Sequence, residues 1–206
     1  YARQVGADLV VAPETDITVD VDAVLARLTA RTKVVFIANP NNPTGTYIPT
    51  AEVERLRAGL PGQVLLVLDS AYSEFVDRGD YTDGADLVAA GDNVVMLRTF
   101  SKIYGMGGLR LGWAYCPDLV ADVINKVRSP FNVSYPAQIA GLAALEDDEF
   151  VARARAHNLE WRQWTTDQVR GLGLEVPDSV CNFVLVRFPD DAGRSAEDAD
   201  QFLNSR

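Results

Sequence analysis

The chain is poor in the residues that most metal, redox and nucleic-acid proteins depend on. Its 206 residues include one histidine, two cysteines and three lysines. Cys116 and Cys181 are too few for a disulfide framework or a zinc site, so a reducing cytoplasm is the expected compartment. No apolar run approaches the roughly 18 residues of a spanning helix, and no membrane partner is expected. An excess of positive charge is also missing. The net charge is -10, the opposite of a nucleic-acid footprint, so no nucleic-acid partner is expected either. What is present, 48% hydrophobic and 23% charged residues, matches an ordinary globular domain with a real core.

Hydrophobic periodicity orders the chain. Ala7 to Val11 reads as a short strand. Asp20 is placed to cap a helix carrying Val21, Val24, Leu25 and Leu28 on one face. Val34–Ala38, Val64–Leu68 and Val94–Leu97 are continuous apolar runs, as expected of strands buried on both faces. Between the first two, Thr50 is expected to cap a helix running through Leu56. Strands alternating with helices predict an α/β fold with a mostly parallel sheet. Only about ten residues separate the third run from Leu109–Tyr115, too few for a helical crossover, so this next strand is expected to run antiparallel.

Farther on, Pro117 is expected at the first position of a helix with the stripe Leu119, Val120, Val123, Ile124 and Val127. Helices are expected from Pro136 to Leu145 and from Glu149 to about Val169, the second capped within the acidic tract Glu146–Glu149. A strand over Val180–Phe188 follows, then a final helix whose Ser195 and Asp198 form a capping box. The change of pattern near Asp147 divides a first domain, 1–147, from a second, 148–206. The chain begins at Tyr1 without Met and stops inside an apparent helix, so we expect it to be the middle of a longer polypeptide.

Three polar clusters follow three of the apolar runs: Asn39-Pro40-Asn41-Asn42-Pro43-Thr44-Gly45, Asp69-Ser70-Ala71-Tyr72 and Thr99-Phe100-Ser101-Lys102. Ligands of open α/β sheets bind beyond the carboxyl ends of the strands, so parallel pairing would bring all three to one edge. Each also has a plainer reading as a turn or a cap. Lys102 stands out because the chain otherwise prefers arginine, sixteen to three. Lysine differs in having an amine that can lose its proton and attack a carbonyl. Asp69 could hold a pyridinium N–H. Arg110, Thr99 and Ser101 suit a phosphate, and Asn42 and Tyr72 suit a phenolate oxygen. Together they describe a pocket for pyridoxal 5'-phosphate (PLP). His157, Trp161 and Trp164 in the long helix, and both cysteines on apolar strands, read as structural.

With Gly107-Gly108-Leu109-Arg110 added, the ordered motifs resemble the class I/II aminotransferases of fold type I, most of all their histidinol-phosphate branch. The stretch from Leu97 to Gly112 is the most specific, and Asn182-Phe183-Val184 also fits. The resemblance implies a mostly parallel sheet with one antiparallel strand, flanked by helices, plus part of a smaller α+β domain. It implies that Lys102 carries PLP as a Schiff base and moves the substrate proton. Asp69 would meet the ring nitrogen, Asn42 and Tyr72 the phenolic oxygen, and Thr99, Ser101 and Arg110 the phosphate. It further implies a cis Asn42–Pro43 bond, a homodimer with residues 128–134 near its interface, and an amino donor exchanging nitrogen with 2-oxoglutarate/glutamate. Neighbouring implications are an aromatic amino-acid aminotransferase, a phospho-amino-acid decarboxylase or a non-catalytic sensing domain. Ser70 stands where many relatives carry Glu, and Tyr1 is given no role. The family's phosphate-gripping loop, ring-stacking aromatic and carboxylate-binding arginine have no counterparts in this stretch.

Overall fold

The computed structural model describes residues 2–191 and 193–206; Tyr1 lies outside the described residues. The chain opens with a small hairpin, β1 (Glu14–Thr15) and β2 (Thr18–Val19), then α1 (Val21–Leu25), β3 (Val34–Ala38), α2 (Thr50–Gly59) and β4 (Leu65–Asp69). Next come α3 (Ala85–Ala89), β5 (Val94–Thr99), β6 (Gly112–Tyr115), α4 (Asp118–Val127), α5 (Tyr135–Leu145), α6 (Asp148–Gly171) and α7 (Ala196–Asn204). The main sheet has the order β3-β4-β5-β6. The first three strands are parallel, and β6 is antiparallel to β5, as the short connection requires.

β4 and β5 are the centre of the sheet. Leu66, Val67 and Leu68, like Val94, Val95 and Met96, are buried on both faces, as expected. β3 departs from that expectation. Its Val35 and Ile37 are buried, but Val34 and Phe36 are exposed. It is the edge strand, and one of its faces meets no described element. The covered side of the sheet packs Leu66, Leu68 and Met96 against Val53 and Leu56 of α2 and Val21 of α1. A second buried cluster gathers Tyr72, Phe75, Ile103 and Cys181, with Val151, Ala154 and Phe183 against it. This cluster joins α6 to the loops at the sheet's carboxyl edge.

Helix ends follow the sequence with small shifts. The Asp20 side chain caps α1 by accepting from the Ala23 amide. Asp147 caps α6 through the Phe150 amide, and Ser195 with Asp198 forms the expected capping box of α7. Thr50 is not the cap of α2. Pro49 holds that position, and Thr50 instead donates to the Asp80 carbonyl at 2.8 Å. Pro117 sits one residue before α4 rather than inside it. Two expected strands are absent. Residues 7–11 form no regular element and pair with no described strand, and Leu9, Val10 and Val11 are exposed. Residues 180–188 contribute one isolated bridge, Glu175 to Arg187. Accordingly Cys181 is buried in a turn and Cys116 lies half-exposed just after β6, neither within a strand. Among the described residues no helix is long and apolar enough to cross a membrane.

Candidate active site

The parallel register of β3, β4 and β5 sets the three polar clusters side by side. Ala38 pairs with Asp69 and Asp69 with Leu97. The ladder continues one step past the strands, with the Asn39 amide donating to the Asp69 carbonyl and the Ser70 amide to the Leu97 carbonyl, both at 3.0 Å. This is the edge where an open α/β sheet takes its ligand.

The three asparagines of the first cluster do different work. Asn39 is buried and closes its own loop: its side chain donates to the Ile48 carbonyl at 3.1 Å and accepts from the Ile48 amide at 2.9 Å. Asn41 donates to Glu14 at 2.7 Å and to Thr44 at 3.0 Å, tying the loop to the β1–β2 hairpin. Only Asn42 turns to the second cluster, donating from Nδ2 to the Tyr72 hydroxyl at 3.2 Å. The Asn42–Pro43 bond is cis, as expected, and Asn39–Pro40 is cis as well. Gly45 carries the turn at φ +76°, and a Cβ there would meet Ser179 Oγ at 2.2 Å, so loop and turn touch backbone to side chain.

Lys102 lies in the loop after β5, with Nζ 5.0 Å from the centre of the Tyr72 ring. Among the described residues it forms no ion pair, and no other side chain competes for its amine. Asp69 ends β4 with its carboxylate exposed, one oxygen accepting from the Ala71 amide at 3.2 Å. The Thr99 hydroxyl accepts from the Ser101 amide at 3.0 Å and makes a long 3.4 Å contact to the Leu111 carbonyl. It therefore shapes the turn that presents Ser101. Arg110 adopts a left-handed conformation (φ 54°) and folds back to donate to the Gly107 carbonyl at 2.6 Å. Gly107 itself lies against Ser101, since a Cβ there would stand 3.9 Å from Ser101 Cβ. Thus Arg110 and Ser101 border the same turn.

A cavity of about 440 Å³ opens between α6 and residues 182–184, with Lys102 and Ile103 on one wall and Arg162 and Asn158 on another. Sequence reading missed these α6 residues, which carry no motif. It also missed an ion-paired group behind the site. Arg98 of β5 binds Glu74 at 2.8 Å and Asp83 at 2.6 Å and lies 5.7 Å from the Trp113 ring centre. The available signal was an arginine directly after the apolar run from Val94 to Leu97. Ser70 is buried and donates to the Asp83 carbonyl at 2.8 Å, a structural role away from the clusters. The hydroxyl of Tyr81 donates to the Asn39 carbonyl at 2.8 Å, and burial pushes its pKa well above the usual tyrosine value.

A mixed, mostly parallel sheet that gathers an unpaired lysine, a carboxylate and an asparagine–tyrosine pair on its carboxyl edge is the frame of a fold-type I PLP transferase. Comparison with known proteins agrees. The family described as aminotransferase class I and II matches residues 1–204. The chain is 59% identical over 205 residues to the histidinol-phosphate aminotransferase of Paramagnetospirillum magneticum and 60% identical over 205 residues to that of Rhodospirillum centenum. Each match covers 100% of this chain and 56% of the relative, so the chain spans little more than half the length of these curated relatives. Among solved structures, histidinol-phosphate aminotransferase from Sinorhizobium meliloti in complex with pyridoxal-5'-phosphate superposes with a TM-score of 0.83 at 32% identity, covering 88% of this chain and 49% of that one. The chain belongs to the class I and II aminotransferase family.

Proposed function

We propose that the protein carrying this chain is a PLP-dependent aminotransferase that exchanges an amino group between histidinol phosphate and 2-oxoglutarate, with glutamate as the product on the acceptor side. The identity of 59–60% to two curated histidinol-phosphate aminotransferases, sustained over 205 residues, carries the choice of substrate. The donor set fits the cofactor: an amine free of carboxylate partners, two convergent groups for a phenolate, a carboxylate for a ring N–H, and a hydroxyl with a guanidinium for a phosphate.

PLP, when bound, supplies the electron sink that lets a bond at the substrate Cα break. The chain supplies the rest. Lys102 would provide the amine that attaches the cofactor and, when free, a base beside the substrate Cα that can hold its proton. Asp69 would accept from the ring nitrogen and favour its protonated form. The Asn42 amide and the Tyr72 hydroxyl would both donate to the phenolic oxygen. Ser101 and Arg110 would hold the phosphate, and the Thr99 hydroxyl, released from its long contact with Leu111, could add a third donor. The division at Asp147 belongs to this reading, with residues 1–147 as part of a cofactor-binding domain and 148–206 as a connecting helix and part of a smaller one. So do a cytoplasmic setting and a homodimer. Phe131, 97% exposed in the loop between α4 and α5, supports an interface near residues 128–134. Sedimentation of the PLP-loaded protein at micromolar concentration should give a dimer, and a monomer that still transaminates would remove that part.

The deciding experiment is borohydride reduction of the PLP-loaded protein followed by peptide mapping. The cofactor should be fixed to the peptide containing Lys102. A label on Lys33 or Lys126 would overturn the assignment. Histidinol phosphate should also be preferred to phenylalanine as donor by kcat/KM. The reverse preference would move the reading to an aromatic amino-acid aminotransferase.

A further inference from the structure

The turn after α6 reaches the site without any strand ladder to hold it. Its fixings are side chains. The Cys181 carbonyl accepts from Arg162 Nη1 at 2.9 Å and from Asn158 Nδ2 at 3.2 Å, two donors four residues apart on one face of α6. Both lone pairs of that carbonyl are used in this way. The Cys181 amide donates to Ser179 Oγ at 3.1 Å, and the Val180 amide to the Gly45 carbonyl at 2.9 Å. Two residues on, Phe183 packs edge-on against the Tyr72 ring, centroids 5.1 Å apart at 84°. Tyr72 is the residue that receives Asn42 and stands beside the Lys102 amine.

Arg162 is an unusual fastener. Burial depresses its pKa, yet among the described residues it pairs with no carboxylate. It lines the cavity that also contains Lys102. Among the described residues the Tyr72 hydroxyl has only Asn42 as a partner, so the position of its ring depends on packing, and Phe183 is one side of that packing.

We propose that Arg162, with Asn158 beside it, is a positioning residue of the active site: by gripping the Cys181 carbonyl it holds Phe183 against Tyr72 and so keeps the Tyr72 hydroxyl aimed at the cofactor's phenolic oxygen. The inference rests on the PLP reading above and adds to it a role for α6. It makes a distinctive prediction, because the same grip shields Cys181. That thiol is fully buried, and burial pushes its pKa up to about 12, so in the native protein it should resist thiol reagents.

The test uses the intact PLP-loaded protein in a Cys116→Ser background and follows two quantities. One is the rate at which an aromatic disulfide reagent labels Cys181. The other is the midpoint pH of the cofactor's absorbance change. Arg162→Met should raise the labelling rate about tenfold or more. It should also move the midpoint upward by about half a unit or more, because a donor to the phenolic oxygen favours its deprotonated form. Arg162→Lys, which keeps a charged donor, should return both toward the native values. Arg153→Met, an exposed position of α6 whose side chain pairs with Glu149 on the same helix, should move neither. A labelling increase with an unmoved midpoint would mean that Arg162 only stabilises the turn, and the proposal would fail. Unchanged labelling would also end it. If Arg162→Met does not fold, Asn158→Leu removes the longer of the two bonds and must produce smaller shifts of the same sign, or the proposal falls. Native protein with no cofactor absorbance to titrate would overturn the PLP reading, and the inference with it.

Discussion

Replacing Lys102 with Ala should lower transamination by about three orders of magnitude or more, while the protein stays folded and still takes up PLP more weakly. The loss would combine the two roles proposed for that amine, attachment of the cofactor and transfer of the Cα proton; proton transfer alone is worth about 10²- to 10⁴-fold. Folding should survive because Lys102 forms no ion pair among the described residues and leaves only a space beside the Tyr72 ring. Uptake should survive because Asp69, Asn42, Tyr72, Ser101 and Arg110 still face the same edge. Lys102→Arg should be as inactive as Lys102→Ala, since a guanidinium keeps its proton at any working pH. Small primary amines should partly restore turnover to the Ala variant and not to the Arg variant. The measurement is single-turnover rate under saturating PLP. A Lys102→Ala protein within tenfold of the native rate would remove Lys102 from the chemistry.

The contrast between helices and strands shows what a single sequence makes legible here. A helix satisfies its backbone within its own segment, so α4, α5, α6 and α7 appear within a residue or two of where capping and periodicity place them. A strand needs a partner, and an apolar run does not say whether one is present. Residues 7–11 and 180–188 are also mainly apolar, yet among the described residues they join no sheet, and Arg187 alone makes an isolated bridge, to Glu175. The same limit applies to burial. Continuous apolar runs marked β4 and β5 correctly as buried on both faces, but the equally continuous run of β3 does not reveal that nothing described covers the face carrying Val34 and Phe36. The α4 stripe is a similar case: its periodicity is clear, while Leu119, Val123, Ile124 and Val127 remain exposed.

The site was legible in its order but not in its division of labour. Topology alone predicts that the three clusters converge, and they do. That Asn42 reaches Tyr72, while Asn39 and Asn41 serve their own loop, depends on the path of the turn through Gly45, which residue type does not reveal. The supports are harder still. Arg162 and Asn158 belong to no motif, and their partner is a backbone carbonyl, which leaves no mark in the sequence. Arg98 did leave a mark. A charged residue that continues a buried strand into its half-buried end gains by finding acids nearby, and Glu74 and Asp83 lie in the loop that leaves the neighbouring strand.

Arg98→Met should therefore destabilise the fold by about 3–5 kcal/mol, the usual cost of removing one partner from a buried ion pair. The side chains of Arg98 and Glu74 are only 16% and 10% exposed, so neither can fall back on water. Glu74 accepts two bonds from the guanidinium, at 2.8 and 3.2 Å, and would be left as an uncompensated buried carboxylate. Asp83, at 33% exposure, is better able to hydrate and contributes less to the loss. Methionine retains most of the aliphatic stem and loses the guanidinium, including its place 5.7 Å from the Trp113 ring centre, so the effect reports charge rather than stem volume. The double variant Arg98→Met/Glu74→Leu should regain a good part of the stability, because apolar pairs of similar size commonly replace buried ion pairs at little cost. Urea unfolding at constant m-value measures both. The functional consequence follows from the chain path: Glu74 lies two residues beyond Tyr72, and Arg98 immediately precedes Thr99. The pair thus fastens the loop holding the phenolate partner to the strand leading to Ser101 and Lys102. The single variant should bind PLP more weakly than the double. A single variant within about 1 kcal/mol of the native protein, or a double variant less stable than the single, would show that the pair is not what holds these two segments together.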